Sequence, residues 1–143
     1  MQRRASAQWR GGLKDGKGTV STASGALKTV AYGFAMRFEN EPGTNPEELV
    51  AAAHASCFAM AFSTRLAKAG VADPNISVTA KVTFGPVPAG GNGVISSALS
   101  VRAQAPDGDA AKLKAVAEDA KENCPISKAL KGNVAMSVEA TPS

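Results

Sequence analysis

The chain contains two cysteines, and both lie in settings where a thiol could do chemistry. Cys57 lies within the apolar, alanine-rich run AAAHASCFAMAF, and Cys124 lies 67 positions later in ENCPISKAL. A free cysteine often only fills space, which favours an inert Cys57 when it is taken alone. Cys124 differs, because Pro125 can start a helix and a helix N-terminus lowers the pKa of a thiol. The local sequence therefore leaves open two buried thiols or one working redox couple.

A metal site is another interpretation of the same residues. His54 and Cys57 are three positions apart on one predicted helix face, and Cys124 would be a third ligand. A structural zinc site normally has four ligands at closer spacings such as CxxC, whereas this chain has one histidine and no CxxC. We therefore expect no metal, and we interpret His54 as a core or interface histidine with a hydrogen-bonded ring.

Length and composition limit the class of protein. The 143 residues, 44% hydrophobic and 20% charged, suit one soluble domain, which we expect to span residues 1–143. The net charge of +4 is not clustered, so a nucleic acid is not a favoured partner. The N-terminal residues lack the apolar segment of a signal peptide, and the longest apolar stretch, Leu49–Phe62, is shorter than the roughly 20 residues of a membrane span. We expect a cytoplasmic protein with no membrane partner, a setting in which a permanent structural disulfide is rare.

The helix that carries the first cysteine has clear boundary signals. A cap at Thr44 or Asn45, Pro46 in the first turn and a stop at Gly70 predict a helix over residues 46–69. Its alanine-rich part has no clear polar face, and a helix that is apolar all round is buried on most sides. A small domain cannot easily enclose such a helix, which indicates burial by a second subunit.

The remaining patterns predict an α+β protein. Short strands are predicted before the long helix, at residues 5–9, 19–22 and around 26–34, with a hairpin turn at Asp15-Gly16 and a loop over 37–46. Alternation after the helix predicts strands at 76–84, 95–103 and 133–140, with helices over 107–124 and 125–132 that cover one sheet face.

Two blocks of the sequence resemble the OsmC/Ohr family of peroxidases, in its OsmC branch. They are YGFAMRFENEPGTNPEELVAAAHASCFAMAF, residues 32–62, and CPISKAL, residues 124–130, and GKGTVST at 16–22 also fits. The resemblance covers nearly the whole chain. It implies an OsmC-like fold, with antiparallel sheets packed around a long central helix in an intertwined homodimer.

The resemblance also implies an activity, that of a thiol-dependent organic hydroperoxide reductase of the oxidative and osmotic stress response. Cys57 would attack the peroxide and become a sulfenic acid, and Cys124 would resolve it as a Cys57–Cys124 disulfide. Arg37 would stabilise the Cys57 thiolate, and Glu47 would hold the arginine. No cofactor is implied; an external dithiol, expected to be a lipoyl group, would reduce the disulfide.

Some assignments stay open at this point. The Ohr branch takes its arginine from an earlier loop, where this sequence offers Lys14 or Lys17. Apolar pocket walls would favour alkyl or lipid hydroperoxides, and four residues could supply them or could be plain core: Phe34, Phe38, Phe58 and Phe62. The alternative functions are a non-enzymatic stress protein that binds a lipid-like ligand in an apolar cleft, and a basic nucleic-acid-binding module. Neither alternative needs both cysteines together with the Arg–Glu pair.

The helix geometry adds a constraint on the predicted site. Glu47 and Cys57 are ten residues apart on one predicted helix, which places them roughly 15 Å apart along its axis. Either the loop of Arg37 bridges that gap, or Arg37 and Glu47 of one chain serve Cys57 of another. We favour the second arrangement, in a homodimer with two sites at the interface.

Overall fold

The computed structural model describes residues 1–143, which divide into two units, Met1–Leu49 and Val50–Ser143. It confirms the α+β class. The expectation of one domain over the whole chain stays a prediction, and the two units are described in turn.

The first unit contains a three-stranded antiparallel sheet. Its strands are β1 (Ala5–Arg10), β2 (Lys17–Thr22) and β3 (Val30–Gly33), in the order β1-β2-β3. The aromatic rings of Trp9 and Tyr32 meet across β2, with their centroids 5.4 Å apart. They meet over Gly18, where a Cβ atom would lie 2.5 Å from the tyrosine ring. Glycine is therefore required there by close approach, because any side chain would push the two rings apart.

One boundary in this unit differs from the sequence prediction. Residues Phe34–Phe38 form a short helix, α1, so the predicted strand around 26–34 begins only at Val30 and the predicted loop over 37–46 begins after Phe38. The backbone N–H of Glu39 closes the helix by donating to the Ala35 carbonyl at 2.8 Å. A five-residue helix is too short to show a hydrophobic period, which explains why the pattern did not reveal it.

The long helix matches its prediction closely. Helix α2 spans Pro46–Lys68, and the Asn45 side chain caps it by accepting from the Glu48 backbone N–H at 2.8 Å. At its other end Gly70 takes a φ of +90°, and the Val71 N–H donates to the Leu66 carbonyl at 3.0 Å. This is the glycine-dependent stop that the sequence predicted.

The second unit contains a mixed sheet. Its strands are β4 (Ser77–Pro86), β5 (Asn92–Ala103) and β6 (Ala135–Pro142), with β4 antiparallel and β6 parallel to β5. The expectation of purely antiparallel sheets is therefore wrong for the β5–β6 pair. The chain passes through α3 (Ala110–Asn123) and α4 (Pro125–Leu130) between those strands, and such a helical crossover is what joins parallel neighbours.

All the buried hydrophobic residues of the chain lie in this second unit. Helix α2 contributes Phe58, Phe62 and Leu66, each with 0% exposure. Helix α3, the sheet and the residue that follows α3 supply the rest of the cluster, which comprises Leu99, Val101, Ala103, Leu113, Ala117, Ala120, Cys124 and Ala140. Full burial of a Leu or Phe side chain contributes about 1.5–3 kcal/mol, so α2 is held chiefly through these three residues.

By length and composition alone, α2 could also cross a membrane. Its buried side chains join the core cluster, however, which is the behaviour of a core helix. In the single chain its other side remains exposed, at Ala52, Ala53, Ser56 and Met60, the last with 75% exposure. The sequence predicted burial on most sides, and the single chain does not provide it.

The cap of α2 gives the first testable prediction. Asn45→Ala removes the oxygen that accepts the Glu48 N–H, and we expect a loss of about 1 kcal/mol in the free energy of unfolding. Urea unfolding at one fixed protein concentration measures this change. Asn45→Asp is the matched control, since it keeps an acceptor oxygen and should retain most of the stability. Equal stability of Asn45→Ala and the parent chain would show that the Asn45 cap does not contribute to the free energy of unfolding.

Candidate active site

The two cysteines lie side by side. An S–H···S hydrogen bond joins the Sγ atoms of Cys57 and Cys124 at 3.3 Å, and both thiols are free. Helix α2 supplies the first, which is partly buried, and the turn between α3 and α4 supplies the second, which is fully buried. A disulfide bond is about 2.05 Å long, so a small side-chain movement would allow these sulfurs to bond.

The two thiols differ in acidity. Burial raises the pKa of Cys57, and the neighbouring Cys124 raises it further against the opposing effect of the Ile126 backbone. Burial also acts to raise the pKa of Cys124, but the backbone N–H and hydroxyl of Ser127, with Cys57 and Ile126, outweigh it and leave that pKa lowered. The lowered pKa that the sequence predicted for Cys124 is confirmed in direction.

A buried histidine lies beside the cysteine pair. His54 has 0% exposure, and its Nδ1 and Nε2 atoms are hydrogen bonded to the hydroxyls of Ser97 at 2.7 Å and Ser127 at 2.9 Å. Burial lowers the pKa of His54, which keeps the imidazole neutral at pH 7. The prediction of a core histidine with a hydrogen-bonded ring is confirmed.

An open cavity adjoins Cys57. It has a volume of about 350 Å³ and is lined by Cys57, Met60, Ala61, Thr64, Arg65, Asn123 and Pro125. Arg65 is tied to Asp119 by a 2.7 Å ion pair at the cavity wall. Phe58 and Phe62, which the sequence analysis placed at the substrate pocket, have 0% exposure and lie in the core. Their rings stack on each other 5.5 Å apart, so plain core packing describes them in this chain.

The first unit holds the predicted arginine–glutamate pair. Arg37 donates from Nε to Glu47 at 3.0 Å and from a terminal guanidinium nitrogen at 2.6 Å, which is the bidentate arrangement that a carboxylate and a guanidinium favour. Short helix α1 carries the arginine, and the first turn of α2 carries the glutamate. The guanidinium carbon also lies 5.2 Å from the centre of the Phe38 ring.

The other two predicted pocket residues belong to this unit. The rings of Phe34 and Phe38 are 4.7 Å apart and line a cavity of about 220 Å³ together with Arg37 and Trp9. The earlier candidates for the cation are both exposed; Lys14 lies in the β1–β2 connection and Lys17 is the first residue of β2. The catalytic roles assigned to Cys57, Cys124, Arg37 and Glu47 stay predictions.

Sequence reasoning missed three side chains near the cysteines: Ser97, Ser127 and Arg65. Part of the signal was present, because His54 comes three residues before Cys57 and Ser127 three residues after Cys124. The spacing of i and i+3 places both pairs within one helical turn. The pairing of His54 with Ser97, 43 residues away, has no counterpart in the sequence pattern. The structure contains no group of three or more His, Cys, Asp or Glu side chains arranged to hold a metal ion.

Comparison with known proteins assigns this chain to a family. The profile of a family described as OsmC-like protein matches residues 38–139. The chain is 43% identical over 136 residues to the peroxiredoxin OsmC of Escherichia coli strain K12, covering 95% of this chain and 94% of that protein.

Solved structures agree with this match. The organic hydroperoxide resistance protein OhrB of Bacillus subtilis superposes with a TM-score of 0.75 at 29% identity, covering 96% of this chain and 98% of the other. An organic hydroperoxide resistance protein OsmC from Legionella pneumophila gives 0.74 at 28% identity, with 96% of each chain covered. Matched over most of its length in both sequence and fold, this chain belongs to the OsmC family.

Proposed function

We propose that this protein is a thiol peroxidase that reduces organic hydroperoxides to alcohols. The observation that carries the proposal is the 3.3 Å contact between the Cys57 and Cys124 sulfurs, which are 67 residues apart in the chain. Its relatives named peroxiredoxin OsmC and organic hydroperoxide resistance protein support the same activity. A lipid carrier or a nucleic-acid-binding module would not need two thiols in contact.

The reaction follows from the position of each thiol. Cys57 borders the open cavity, whereas Cys124 is fully buried, so a hydroperoxide meets Cys57 first. The Cys57 thiolate attacks the terminal peroxide oxygen, the O–O bond breaks, and the alkoxide leaves as alcohol after taking a proton. The sulfenic acid that remains on Cys57 condenses with Cys124 to form a disulfide and water. An external dithiol then reduces the disulfide by exchange, and a lipoyl group is the reductant that we propose.

The first step requires a positive charge beside Cys57. Burial raises the pKa of this thiol, so at neutral pH it would be mostly protonated and a poor nucleophile. A guanidinium is always charged and would stabilise the thiolate. Arg37 is the candidate, because Glu47 already holds its guanidinium in a fixed orientation through two hydrogen bonds. The aromatic side chains next to Arg37, Phe34 and Phe38, would then offer apolar surface to an alkyl hydroperoxide.

We also propose that the active form is a homodimer. The first unit supplies none of the buried hydrophobic residues, while Trp9, Leu13 and Phe38 in it are 40%, 68% and 44% exposed. A three-stranded sheet needs an apolar surface to cover it before it is stable. A second copy of the chain, lying against this sheet and the exposed side of α2, would cover both. The two units would then work as one cytoplasmic domain, with Arg37 and Glu47 of one chain serving Cys57 of the other.

The roles of the thiols can be separated by two substitutions. Cys57→Ser should abolish the reduction of an alkyl hydroperoxide, because no sulfur remains beside the cavity. Cys124→Ser should allow one turnover and then leave a Cys57 sulfenic acid that oxidises further. Single-turnover kinetics with mass spectrometry distinguish the two. Normal turnover in Cys57→Ser, with a lost first turnover in Cys124→Ser, would reverse the assignment.

The role of the arginine predicts a shift in thiol reactivity. Arg37→Ala removes the cation, so the pKa of Cys57 should rise by about one unit or more, each unit corresponding to about 1.4 kcal/mol. Alkylation rates measured against pH in a Cys124→Ser background report this value. Arg102→Ala, which removes an exposed cation from β5, is the control and should leave the profile unchanged. An unshifted profile in Arg37→Ala would transfer the role to another cation, with Lys14 and Lys17 as the first to test.

A shared site predicts complementation between defective chains. Cys57→Ser and Arg37→Ala subunits, unfolded and refolded together, should form about one half heterodimers by random pairing. Each heterodimer would have one site with both lesions and one intact site. Activity should rise from near zero to roughly a quarter of the parent value per chain. No recovery in a mixture shown to contain heterodimers would mean that Arg37 serves the cysteine of its own chain.

A further inference from the structure

The open cavity beside Cys57 has one charged residue in its wall. Among the residues that line it, Arg65 alone carries a charge, whereas Met60, Ala61 and Pro125 are apolar. The volume of about 350 Å³ lies within the range of small-molecule sites in proteins. The reaction described above uses only the Cys57 end of this cavity and gives Arg65 no role.

The cavity follows the long helix from Cys57 to Arg65. Both residues belong to α2, and the eight positions between them correspond to about 12 Å along the helix axis. Ala61 and Thr64 line the cavity between the two. Residues four, seven and eight positions after Cys57 lie on the same side of a helix as Cys57 itself. The cavity is therefore a groove with a sulfur at one end and a guanidinium at the other.

The guanidinium is held by its neighbours on α3. Nε of Arg65 lies 2.7 Å from Oδ2 of Asp119. The side-chain amide of Asn123 donates to the other carboxylate oxygen of Asp119 at 2.9 Å and to the Asp119 backbone carbonyl at 2.8 Å. Because a guanidinium has five N–H donors, the contact through Nε leaves the terminal nitrogens of Arg65 able to bind a second anion.

We propose that Arg65 binds a carboxylate at the far end of this groove, so that the site prefers hydroperoxides with a carboxylate about 12 Å from the peroxide group. The proposal rests on the proposed function for the chemistry at Cys57. The binding of a carboxylate by Arg65 does not itself depend on that chemistry. Asp119 orients the guanidinium, and its own negative charge weakens the attraction of Arg65 for a second carboxylate.

The walls of the groove determine which ligand fits between its two ends. Met60, Ala61 and Pro125 offer apolar surface to a hydrocarbon chain that joins the peroxide to the anionic group. A planar guanidinium matches the geometry of a carboxylate, which it can bind through parallel hydrogen bonds. A phosphate would bring more negative charge against Asp119 than a carboxylate does. These features together favour a hydroperoxide of a carboxylic acid.

The pair of Arg65 and Asp119 contributes little to the stability of the fold. Their side chains are 25% and 55% exposed, and exposed ion pairs are weak because water screens them. The contact with Asp119 also places Arg65 on the side of α2 that faces α3. The exposed side of α2, which the second copy of the chain is proposed to cover, carries Ala52 and Met60 instead. Substitution of Arg65 should therefore leave both the fold and the proposed dimer intact.

The test compares a carboxylic acid with its methyl ester. The probe is a straight-chain ω-hydroperoxy alkanoic acid about 12 Å long, assayed with dithiothreitol as the reducing dithiol. The parent protein should reduce the acid with a kcat/KM about tenfold higher than that of the ester, which corresponds to about 1.4 kcal/mol. Arg65→Met should remove most of this preference, whereas Asp119→Asn should increase it by removing the competing charge. Lys68→Met, which removes an exposed cation from the same helix, is the matched control and should keep the parent preference.

The outcomes separate a carboxylate site from a general effect of surface charge. A parent protein with no preference for the acid would overturn the proposal, as would an equal preference in Arg65→Met. A loss of preference in Lys68→Met as large as that in Arg65→Met would overturn it too, because any nearby cation would then suffice. If Arg65→Met does not fold, Asp119→Asn decides the matter: a stronger preference for the acid supports the proposal, and an unchanged or weaker one overturns it.

A second readout needs no peroxide. In a Cys124→Ser background, where Cys57 is the only thiol, a straight-chain alkanoate of the same length as the probe should slow alkylation of Cys57 by iodoacetamide more than its methyl ester does. Arg65→Met should abolish that difference. Equal protection by the alkanoate and the ester in the parent background would contradict the proposal. A protein that reduces neither hydroperoxide would refute the peroxidase function, while the protection experiment would still decide whether Arg65 binds the carboxylate.

Discussion

Ionising a thiol in the middle of an apolar helix is unfavourable. A site that uses such a thiol as a nucleophile must therefore contain a group that stabilises the thiolate. Helix α2 is held in place by Phe58, Phe62 and Leu66, and the same apolar packing that fixes the helix raises the pKa of Cys57. A cysteine there can be a nucleophile only if a charge is brought to it. We propose the guanidinium of Arg37 as that charge, since Glu47 holds it in a fixed orientation through two hydrogen bonds. The first unit, which carries this pair, contributes nothing to the buried hydrophobic core, and this accounts for the proposal that a second chain completes the site.

The two thiols lie in different surroundings, in keeping with the different roles proposed for them. Cys57 borders an open cavity that a substrate can enter. A cation carried by a second chain could therefore approach its sulfur and stabilise the thiolate. Cys124 is fully buried, and although burial acts to raise its pKa, the neighbouring Ser127 lowers it. In its proposed role as resolving thiol, Cys124 would need no second charge inside the core, where an unpaired ion would be costly. The two sulfurs are 3.3 Å apart. In the proposed reaction, a sulfenic acid on Cys57 would therefore form a disulfide with Cys124 before it oxidises further.

Local features were predicted well from the sequence, and contacts between distant residues were not. The cap at Asn45, the stop at Gly70 and the alternation of β4 depend on neighbours within a few residues, and all three are present in the structure. Helix α1 was not predicted because five residues are too few to show a helical period of hydrophobic residues. The parallel pairing of β5 with β6 was not predicted because it depends on the path of the chain through the helices between those strands. The resemblance of two blocks to a known family supplied what periodicity could not, namely the pairing of Cys57 with Cys124 and of Arg37 with Glu47. It gave no indication of Ser97, which meets His54 only through the tertiary fold.

The account stands on the claim that one hydroperoxide oxidises both thiols of a chain to an internal disulfide. The most direct measurement titrates the reduced protein with an alkyl hydroperoxide, counts free thiols, and maps the cysteine peptides without reduction. One equivalent per chain should remove both thiols, yield one equivalent of alcohol and produce a single Cys57–Cys124 linkage. Two thiols that survive an equivalent of hydroperoxide, or a disulfide that links separate chains, would contradict it.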